Sequence, residues 1–158
     1  MLTAPARDEG SIMVLVIGFT ALAAVLVLVG VDVSKVFLAQ RALASAADAA
    51  AVAAAQGVDT QRVYAGSGLG CSGVLPLDQH LAAQRAAASL AGQRAGLRHV
   101  FVSLAAPDTT VAGRTARVSL HGRVAVPFGA ALAWLDPGHG NGQIGVTETS
   151  AARSIVGC

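Results

Sequence analysis

The stretch SIMVLVIGFTALAAVLVLVGV, residues 11–31, decides the fold of this chain because it contains no charged side chain. At a rise of about 1.5 Å per residue, a helix of this length spans about 31 Å, which matches the roughly 30 Å hydrocarbon core of a bilayer. A core helix of a soluble protein rarely stays uncharged for so long. We therefore predict a transmembrane helix over residues 11–31, preceded by a cytoplasmic, leader-like segment over residues 1–10.

A secretory signal peptide is the alternative for this segment, since Arg7 precedes it as a basic residue precedes the apolar part of such a peptide. That apolar part is typically roughly 7–15 residues long and ends near a small-residue cleavage site. Here Asp32 and Lys35 follow directly, and the nearest small-residue site lies around Ala42 to Ala46. The length of the stretch favours an uncleaved, single-pass anchor.

The composition fits a small membrane-tethered protein. Hydrophobic residues make up 54% of the 158 residues, the mean hydropathy is +0.61, and the apolar excess lies mostly within residues 1–56. About 100 residues follow, enough for one small domain. The net charge of +2 arises from scattered basic residues without a basic run. We therefore expect the membrane as a partner and no nucleic acid.

The charges that flank the apolar stretch leave its orientation nearly undecided. Arg7 and the amino terminus lie before the stretch, and Lys35 and Arg41 lie after it. The positive-inside rule counts basic residues near the membrane on each side, and these counts are almost equal.

Two cysteines bear on the same question. Cys71 and Cys158 both follow the apolar stretch, at no spacing typical of a metal site. A cysteine at a terminus that pairs with a loop cysteine often stabilises a small extracytoplasmic domain. We predict a Cys71–Cys158 disulfide and an extracytoplasmic domain over residues 57–158. Two unpaired thiols in a reducing cytosol are the alternative.

Residues 32–56 contain neither proline nor glycine and are rich in alanine, the best helix former. We therefore predict that the membrane helix continues as an amphipathic extension over residues 32–56 and ends at Gly57. Side chains at alternating spacings of three and four residues form one face of this extension. They are Val29, Val33, Val36, Gln40, Leu43, Ala47, Ala50 and Ala54.

Small side chains dominate the second half of the extension. Alanine recurs every fourth residue from Ala42 to Ala54, a spacing that lets a neighbouring helix or sheet approach closely, although general alanine enrichment is an alternative. Asp48 is the lone carboxylate in this part, and a buried or interfacial position would favour a basic partner such as Arg41, one heptad earlier. The predicted packing and assembly residues are Val33, Val36, Phe37, Leu43, Ala46, Asp48, Ala50 and Ala54.

The order of three short motifs resembles the N-terminal module of the TadE/TadG-like proteins of tight-adherence (Flp) pilus assembly. The motifs are DEGS at residues 8–11, DVSKVFLA at residues 32–39 and AADAAAVA at residues 46–53, with the uncharged helix between the first two. The match covers about the first 56 residues. Each motif is weak alone, whereas their order and spacing are moderately specific.

This resemblance implies a protein of the bacterial cytoplasmic membrane that acts as a minor pilin, or pseudopilin, or as an assembly component of a Flp-type (Tad) pilus or related secretion system. Its partners would be other pilus or secretion-system subunits. Pilin-like members lose a leader that ends in glycine, which implies cleavage between Gly10 and Ser11. The fifth residue after Gly10 is Leu15, where a pilin has glutamate.

The residues after the long helix predict a small α+β domain. We expect a loop over residues 57–78 and a second helix over Leu81–Arg94, with Asp78 as the N-cap and Gly96 at the end. Leu81, Ala88 and Leu90 are the predicted inner face of this helix.

Strand patterns follow the second helix. Val100, Val102 and Leu104 alternate with His99, Phe101 and Ser103, and Pro107-Asp108 predicts a turn. The strongest strand signal covers residues 114–126, with Gly122 as a candidate bulge. Its predicted inner face is Ala116, Val118, Leu120, Gly122, Val124 and Val126, and its wet face is Thr115, Arg117, Ser119, His121 and Arg123. A short turn or helix over residues 128–135, a loop over 137–142 and a last strand over 144–154 complete the domain.

The sequence contains no recognisable catalytic or metal-binding motif. His80, His99, His121 and His139 are far apart, and no pair has the spacing of a helical metal site. Asp32-Val33-Ser34 is followed by Lys35, which departs from the Asp-x-Ser-x-Ser metal site of longer TadG-like proteins. Asp48 and Glu148 are the carboxylates for which structural pairing is expected. We therefore expect no enzyme activity, no metal, no cofactor and no small-molecule substrate.

Two functional hypotheses remain. The first is a structural or assembly protein that associates laterally through its long helix. The second is a membrane-anchored extracytoplasmic binding module, in which Arg117, His121 and Arg123 on the wet face of the sheet contact a wall component or a ligand.

Overall fold

The computed structural model describes residues 9–67, 76–126, 128 and 142–154, without the side chains of residues 9–11, 66 and 67. The fold is α+β, as predicted: a long N-terminal helix precedes a second helix and a small antiparallel sheet. The elements are α1 Glu9–Ala55, α2 Thr60–Arg62 with a π-helical turn Val63–Ser67 directly after it, α3 Gln79–Leu97, β1 Ser103–Leu104, β2 Asp108–Ala112, β3 Thr115–Ala125 and β4 Gln143–Arg153.

Helix α1 is continuous through the uncharged stretch and the extension. Its 47 residues correspond to a rod about 70 Å long. Within the described residues, Ile12–Ala55 is the one helix long and apolar enough to cross a membrane. The hydroxyl of Thr20 donates to the carbonyl of Val16, four residues earlier, at 2.8 Å, so this polar group is satisfied within the helix.

The extension of α1 is buried on one face, but its other face is not consistently polar. Ala39, Leu43 and Ala50 are completely buried, whereas Leu38 is 62% and Val52 is 55% exposed. Because apolar side chains lie on both faces, the predicted amphipathic character is not confirmed. The burial depends on which neighbours cover the helix and not on a segregation of polar residues.

Helix α3 packs antiparallel against the extension of α1. At its start the carboxylate of Asp78 accepts a hydrogen bond from the Leu81 N–H at 2.8 Å, which confirms the predicted N-cap. Its last residue is Leu97, so Gly96 does not end the helix.

The inner face of α3 differs from the prediction. Ala82, Ala86, Leu90 and Leu97 are buried, whereas Leu81 and Ala88 are exposed. Alanines surround this helix on all sides, so the sequence carries almost no signal for its orientation, and contact with α1 selects the buried face.

The junction between α1 and α3 is too close for any residue but glycine. The Gly57 N–H donates to the carbonyl of Ala54, and the Gly57 carbonyl accepts from the Asp78 N–H, both at 2.9 Å. A Cβ on Gly57 would lie 2.7 Å from the backbone nitrogen of Ala82. Glycine is therefore required here by the close approach of two helices.

Strand β3 is the centre of the sheet. All of its residues pair antiparallel with β4, from Thr115 with Arg153 to Ala125 with Gln143. Its other edge is shared by β2, which pairs with residues 115–119, and by β1, which pairs with residues 122–123. The two-residue turn between β2 and β3 has Gly113 at φ 60°, a conformation that glycine adopts without strain.

The two faces of β3 confirm the predicted alternation. The predicted inner residues are all buried, and α1 and α3 cover this face of the sheet to form one core. The core consists mainly of Ala39, Leu43, Ala46, Ala47, Ala50, Ala51, Ala54, Ala82, Ala86, Leu90, Phe101, Ala116, Val118, Leu120, Val124 and Val146.

Three details of the predicted sheet are wrong. Phe101 is buried, whereas Val100 is 37% and Val102 is 58% exposed, because the strand comprises only Ser103–Leu104 and does not impose the expected alternation. Pro107-Asp108 does not form the turn, since Asp108 begins β2. Gly122 does not mark a bulge, because it pairs in regular register with Val146.

Close packing against an aromatic ring explains the glycine at position 122. A Cβ there would lie 2.7 Å from Cδ1 and 2.9 Å from Cε1 of Phe101. The absence of a side chain therefore makes room for the ring in the core.

Several predictions concern residues outside the described ones. They are the Cys71–Cys158 disulfide, the segment 128–135 apart from Phe128, and the loop 137–142 apart from Gly142. The predicted loop over 57–78 contains α2 and the π-helical turn in its described part.

Candidate functional site

The predicted assembly surface of α1 divides into a covered and an uncovered part. Leu43, Ala46, Ala50 and Ala54 lie in the core, covered by α3 and by the sheet of the same chain. Small side chains at these positions do permit the close approach that their spacing predicts. Their neighbour is this chain's own domain, so they are not open to another subunit in this fold.

The other predicted residues lie outside this contact. Val33 and Phe37 are each 62% exposed, and Val36 is half-buried. Gly10 and Ser11 lie in the first turns of α1, which begins at Glu9. Leu15 is 70% exposed on the apolar part of the helix.

Asp48 does not lie in the core and does not have the predicted partner. It is exposed beside β4, where one carboxylate oxygen accepts a hydrogen bond of 2.6 Å from the Ser150 hydroxyl. The expectation of a structural pairing is thus met by a neutral serine and not by Arg41. Glu148, two residues before Ser150, is half-buried on the same side of β4.

An uncovered apolar surface continues from the membrane stretch onto the extension. Nothing in the described part of the chain covers the most apolar segment of α1. We call the exposed large apolar side chains of α1 beyond residue 31 the outer surface of α1. It consists of Val33, Phe37, Leu38 and Val52. Exposed apolar side chains on this scale are typical of a lipid or protein interface.

The free face of the sheet carries the basic residues predicted for it. Arg117, His121 and Arg123 are exposed along β3, on the side opposite α1. The ring Nδ1 of His121 lies 2.9 Å from the Thr147 hydroxyl, and the hydroxyls of Ser119 and Thr149 lie 2.9 Å apart. Cross-strand hydrogen bonds thus hold polar side chains across β3 and β4 on this face.

The described residues do not form a recognisable catalytic or metal centre. Among them there is no group of three or more His, Cys, Asp or Glu side chains placed to hold a metal ion. His80 and His99 are exposed at opposite ends of α3, His121 is exposed on the free face of the sheet, and His139 lies outside the described residues.

A groove at the base of the domain was not predicted from the sequence. It has a volume of about 420 Å³ and lies where the end of α3 meets the part of α1 just beyond the uncharged stretch. Three basic side chains, Lys35, Arg98 and His99, line it together with apolar ones. Lys35 lies more than 60 positions before Arg98 and His99, so only the antiparallel packing of α1 and α3 brings it to them.

Comparison with known protein families gives a match that falls almost entirely on α1. Residues 10–57 match the model of the Tad family, described as Flp pilus-assembly TadE/G-like. The family resemblance of the N-terminal module is thereby confirmed over those residues. No curated protein and no solved structure gives a significant match.

Proposed function

We propose that this chain is a single-pass membrane component of a Flp-type (Tad) pilus or a related secretion system, of minor-pilin or pseudopilin design. The observation that carries the proposal is the coincidence of two boundaries. The family match over residues 10–57 and helix α1, Glu9–Ala55, cover almost the same segment. The part of the chain related to pilus assembly is therefore the long helix itself, with the small domain packed on its second half.

The two faces of α1 support a division of tasks within this proposal. The buried alanine face holds the domain, and the outer surface of α1 is left for lateral contacts with lipid and with other subunits. Because Val33, Phe37 and Leu38 continue the apolar stretch without a break in the helix, one partner helix can contact both. The proposed role is structural and not catalytic.

Site-specific photo-crosslinking in cells tests the proposed lateral contacts. A crosslinking residue at Phe37 or Val52 should form adducts with other pilus subunits, whereas one at Tyr64, which is 88% exposed beyond the far end of α1, should form few. Phe37→Ser and Val33→Ser should lower pilus formation without changing the amount of the protein. Unchanged pili and equal adducts at all positions would contradict the proposal.

Processing and topology belong to the same proposal and have separate tests. We propose that the domain is extracytoplasmic and that the leader ends at Gly10. The mass of the mature N-terminus distinguishes a processed, pilin-like chain that begins at Ser11 from an uncleaved assembly factor. Labelling of Cys71 and Cys158 before and after reduction tests both the disulfide and the oxidising compartment.

The second candidate is a membrane-anchored extracytoplasmic binding module, favoured by the basic free face of the sheet. A released domain that still binds its target would support it. The fold determines where the chain must be cut, because Ala39 to Ala54 form part of the core. A protease site introduced near Ser34 keeps these residues with the domain. Arg117→Gln and Arg123→Gln should then abolish binding, with Arg85→Gln on α3 as the control.

A further inference from the structure

The groove at the base of the domain lies at the level at which α1 leaves the membrane. Val31 is the last residue of the uncharged stretch. Along the axis of α1, Lys35 lies one helical turn, or about 6 Å, beyond Val31, and Leu38 lies about 10 Å beyond it. The polar headgroup layer adds about 5–7 Å to each side of the hydrocarbon core. The α1 wall of the groove therefore begins inside the headgroup layer.

The opposite wall of the groove is the segment from Arg98 to Val102, which directly follows α3. Backbone hydrogen bonds hold this segment: the Phe101 N–H donates to the Leu97 carbonyl at 2.9 Å, and the Val102 N–H donates to the Arg123 carbonyl at 2.8 Å. Phe101 is buried and anchors the segment in the core. The exposed side chains of Val100 and Val102 are therefore presented on a fixed backbone.

The side chains that line the groove combine apolar and basic character. Among the described residues that line it, the charged ones are basic, Lys35 and Arg98 with His99 beside them, and none is acidic. The nearest acidic residue on α1, Asp32, accepts a hydrogen bond from the Phe128 N–H at 3.4 Å. Exposed valines beside basic side chains suit the boundary between acyl chains and phosphate groups.

We infer that this groove and its valines rest on the membrane that α1 spans and bind the headgroup of an anionic phospholipid. The inference rests on the membrane span of the proposed function and adds a second, peripheral contact to it. Lys35 and Arg98 contact the phosphate, and Val100 and Val102 lie against the upper acyl region. The domain is thereby held upright on the bilayer, with the Gly113 turn and α2 at its distal end.

A stabilising effect of Arg98 on α3 is the alternative explanation for this residue. A cation after the last turn of a helix interacts favourably with the C-terminal end of the helix dipole. That role would make Arg98→Gln less stable in detergent and in every lipid alike. If Arg98 instead docks on the membrane, the effect of Arg98→Gln should depend on the charge of the lipid.

The test uses the full chain in nanodiscs of phosphatidylcholine alone or mixed with phosphatidylglycerol, with both cysteines intact. A photo-crosslinking residue at Val102 should form lipid adducts, mainly in the anionic discs, whereas the same residue at the distal, exposed Ala112 should not. Arg98→Gln should lower the adduct yield at position 102 by about fivefold, corresponding to ~1 kcal/mol for one basic residue near an anionic surface. Arg85→Gln, at an exposed position on α3, should leave the yield unchanged.

Four results would overturn the inference. Equal adducts in neutral and anionic discs would remove the headgroup specificity, and equal adducts at positions 102 and 112 would indicate random contact. Competition by inorganic phosphate alone would show that the groove takes a soluble anion. If position 102 formed no adducts while α1 stayed in the discs after alkaline treatment, the docking of the groove would be refuted and the membrane span would stand. Loss of the whole chain on alkaline treatment would instead refute the span itself.

Discussion

The hydroxyl of Ser150 on β4 donates a hydrogen bond of 2.6 Å to a carboxylate oxygen of Asp48 on α1, joining residues 102 positions apart. Asp48 lies within the part of α1 that matches the Tad family, and Ser150 lies outside it. This bond therefore ties the sheet to the family module. It explains a carboxylate in an alanine-rich helix without any catalytic role.

The first prediction concerns this bond. Asp48→Ala should cost about 1 kcal/mol of stability through the lost hydrogen bond, partly offset by the higher helix propensity of alanine. A double-mutant cycle with Ser150→Ala separates the two effects, measured by thermal unfolding in detergent. Asp48→Ala should have no further destabilising effect once Ser150 is alanine. Fully additive losses would show that the bond does not contribute.

The second prediction concerns the free edge of β2. The side chain of Gln79 donates to the Thr109 carbonyl at 2.6 Å and accepts from the Val111 N–H at 2.8 Å, as a neighbouring strand would. Gln79→Ala should therefore cost about 1–2 kcal/mol and speed hydrogen exchange at the Val111 amide. The exposed Gln84 on the same helix is the control, and Gln84→Ala should change stability by less than ~0.5 kcal/mol.

An unchanged exchange rate at Val111 would contradict this account of Gln79. The bond also has a protective consequence, since an open strand edge is a site for pairing with another chain. Gln79→Ala is expected to raise aggregation of the detergent-solubilised protein, which light scattering would detect.

The sequence was informative where the pattern was long and regular. Apolar and polar residues alternate over the whole length of strand β3, and one face of the strand is covered. This two-residue repeat therefore identified its inner face correctly. Helix α1 was predictable because an uncharged stretch and a glycine-free, alanine-rich extension follow one another. Neither inference required knowledge of a distant residue.

Features that depend on contacts between distant segments were not predictable. Only Leu90 of the predicted inner face of α3 is buried, because alanine on every side gives no direction. Phe101 was missed because the two residues of β1 are too few to impose alternation. The partner of Asp48 and the two walls of the basal groove are far apart in the chain. Long-range packing alone determines these features.

The third prediction concerns the close contact at Gly122. A Cβ there would approach the Phe101 ring to 2.7 Å, so Gly122→Ala should cost about 1–3 kcal/mol despite the better strand propensity of alanine. Gly145 is the control, because a Cβ there meets no atom within 4 Å. Gly145→Ala should be neutral or slightly stabilising through the unfolded state. Equal effects of the two substitutions on thermal unfolding would rule out the steric explanation.

The fourth prediction separates the two faces of α1. Ala50 is completely buried against the domain, whereas its neighbour Ala49 is exposed. Ala50→Leu should overpack the core, cost about 1–3 kcal/mol and make the domain sensitive to protease. Ala49→Leu should leave both properties almost unchanged.

This pair of variants also determines how assembly experiments on α1 are interpreted. A defect in pilus formation caused by Ala50→Leu should be accompanied by loss of the folded domain, because position 50 faces the chain's own core. A defect caused by Ala49→Leu in a stably folded protein would instead report a lateral contact with another subunit. If Ala50→Leu blocked assembly while thermal unfolding and protease resistance stayed normal, the buried alanine face would have to serve a partner after all.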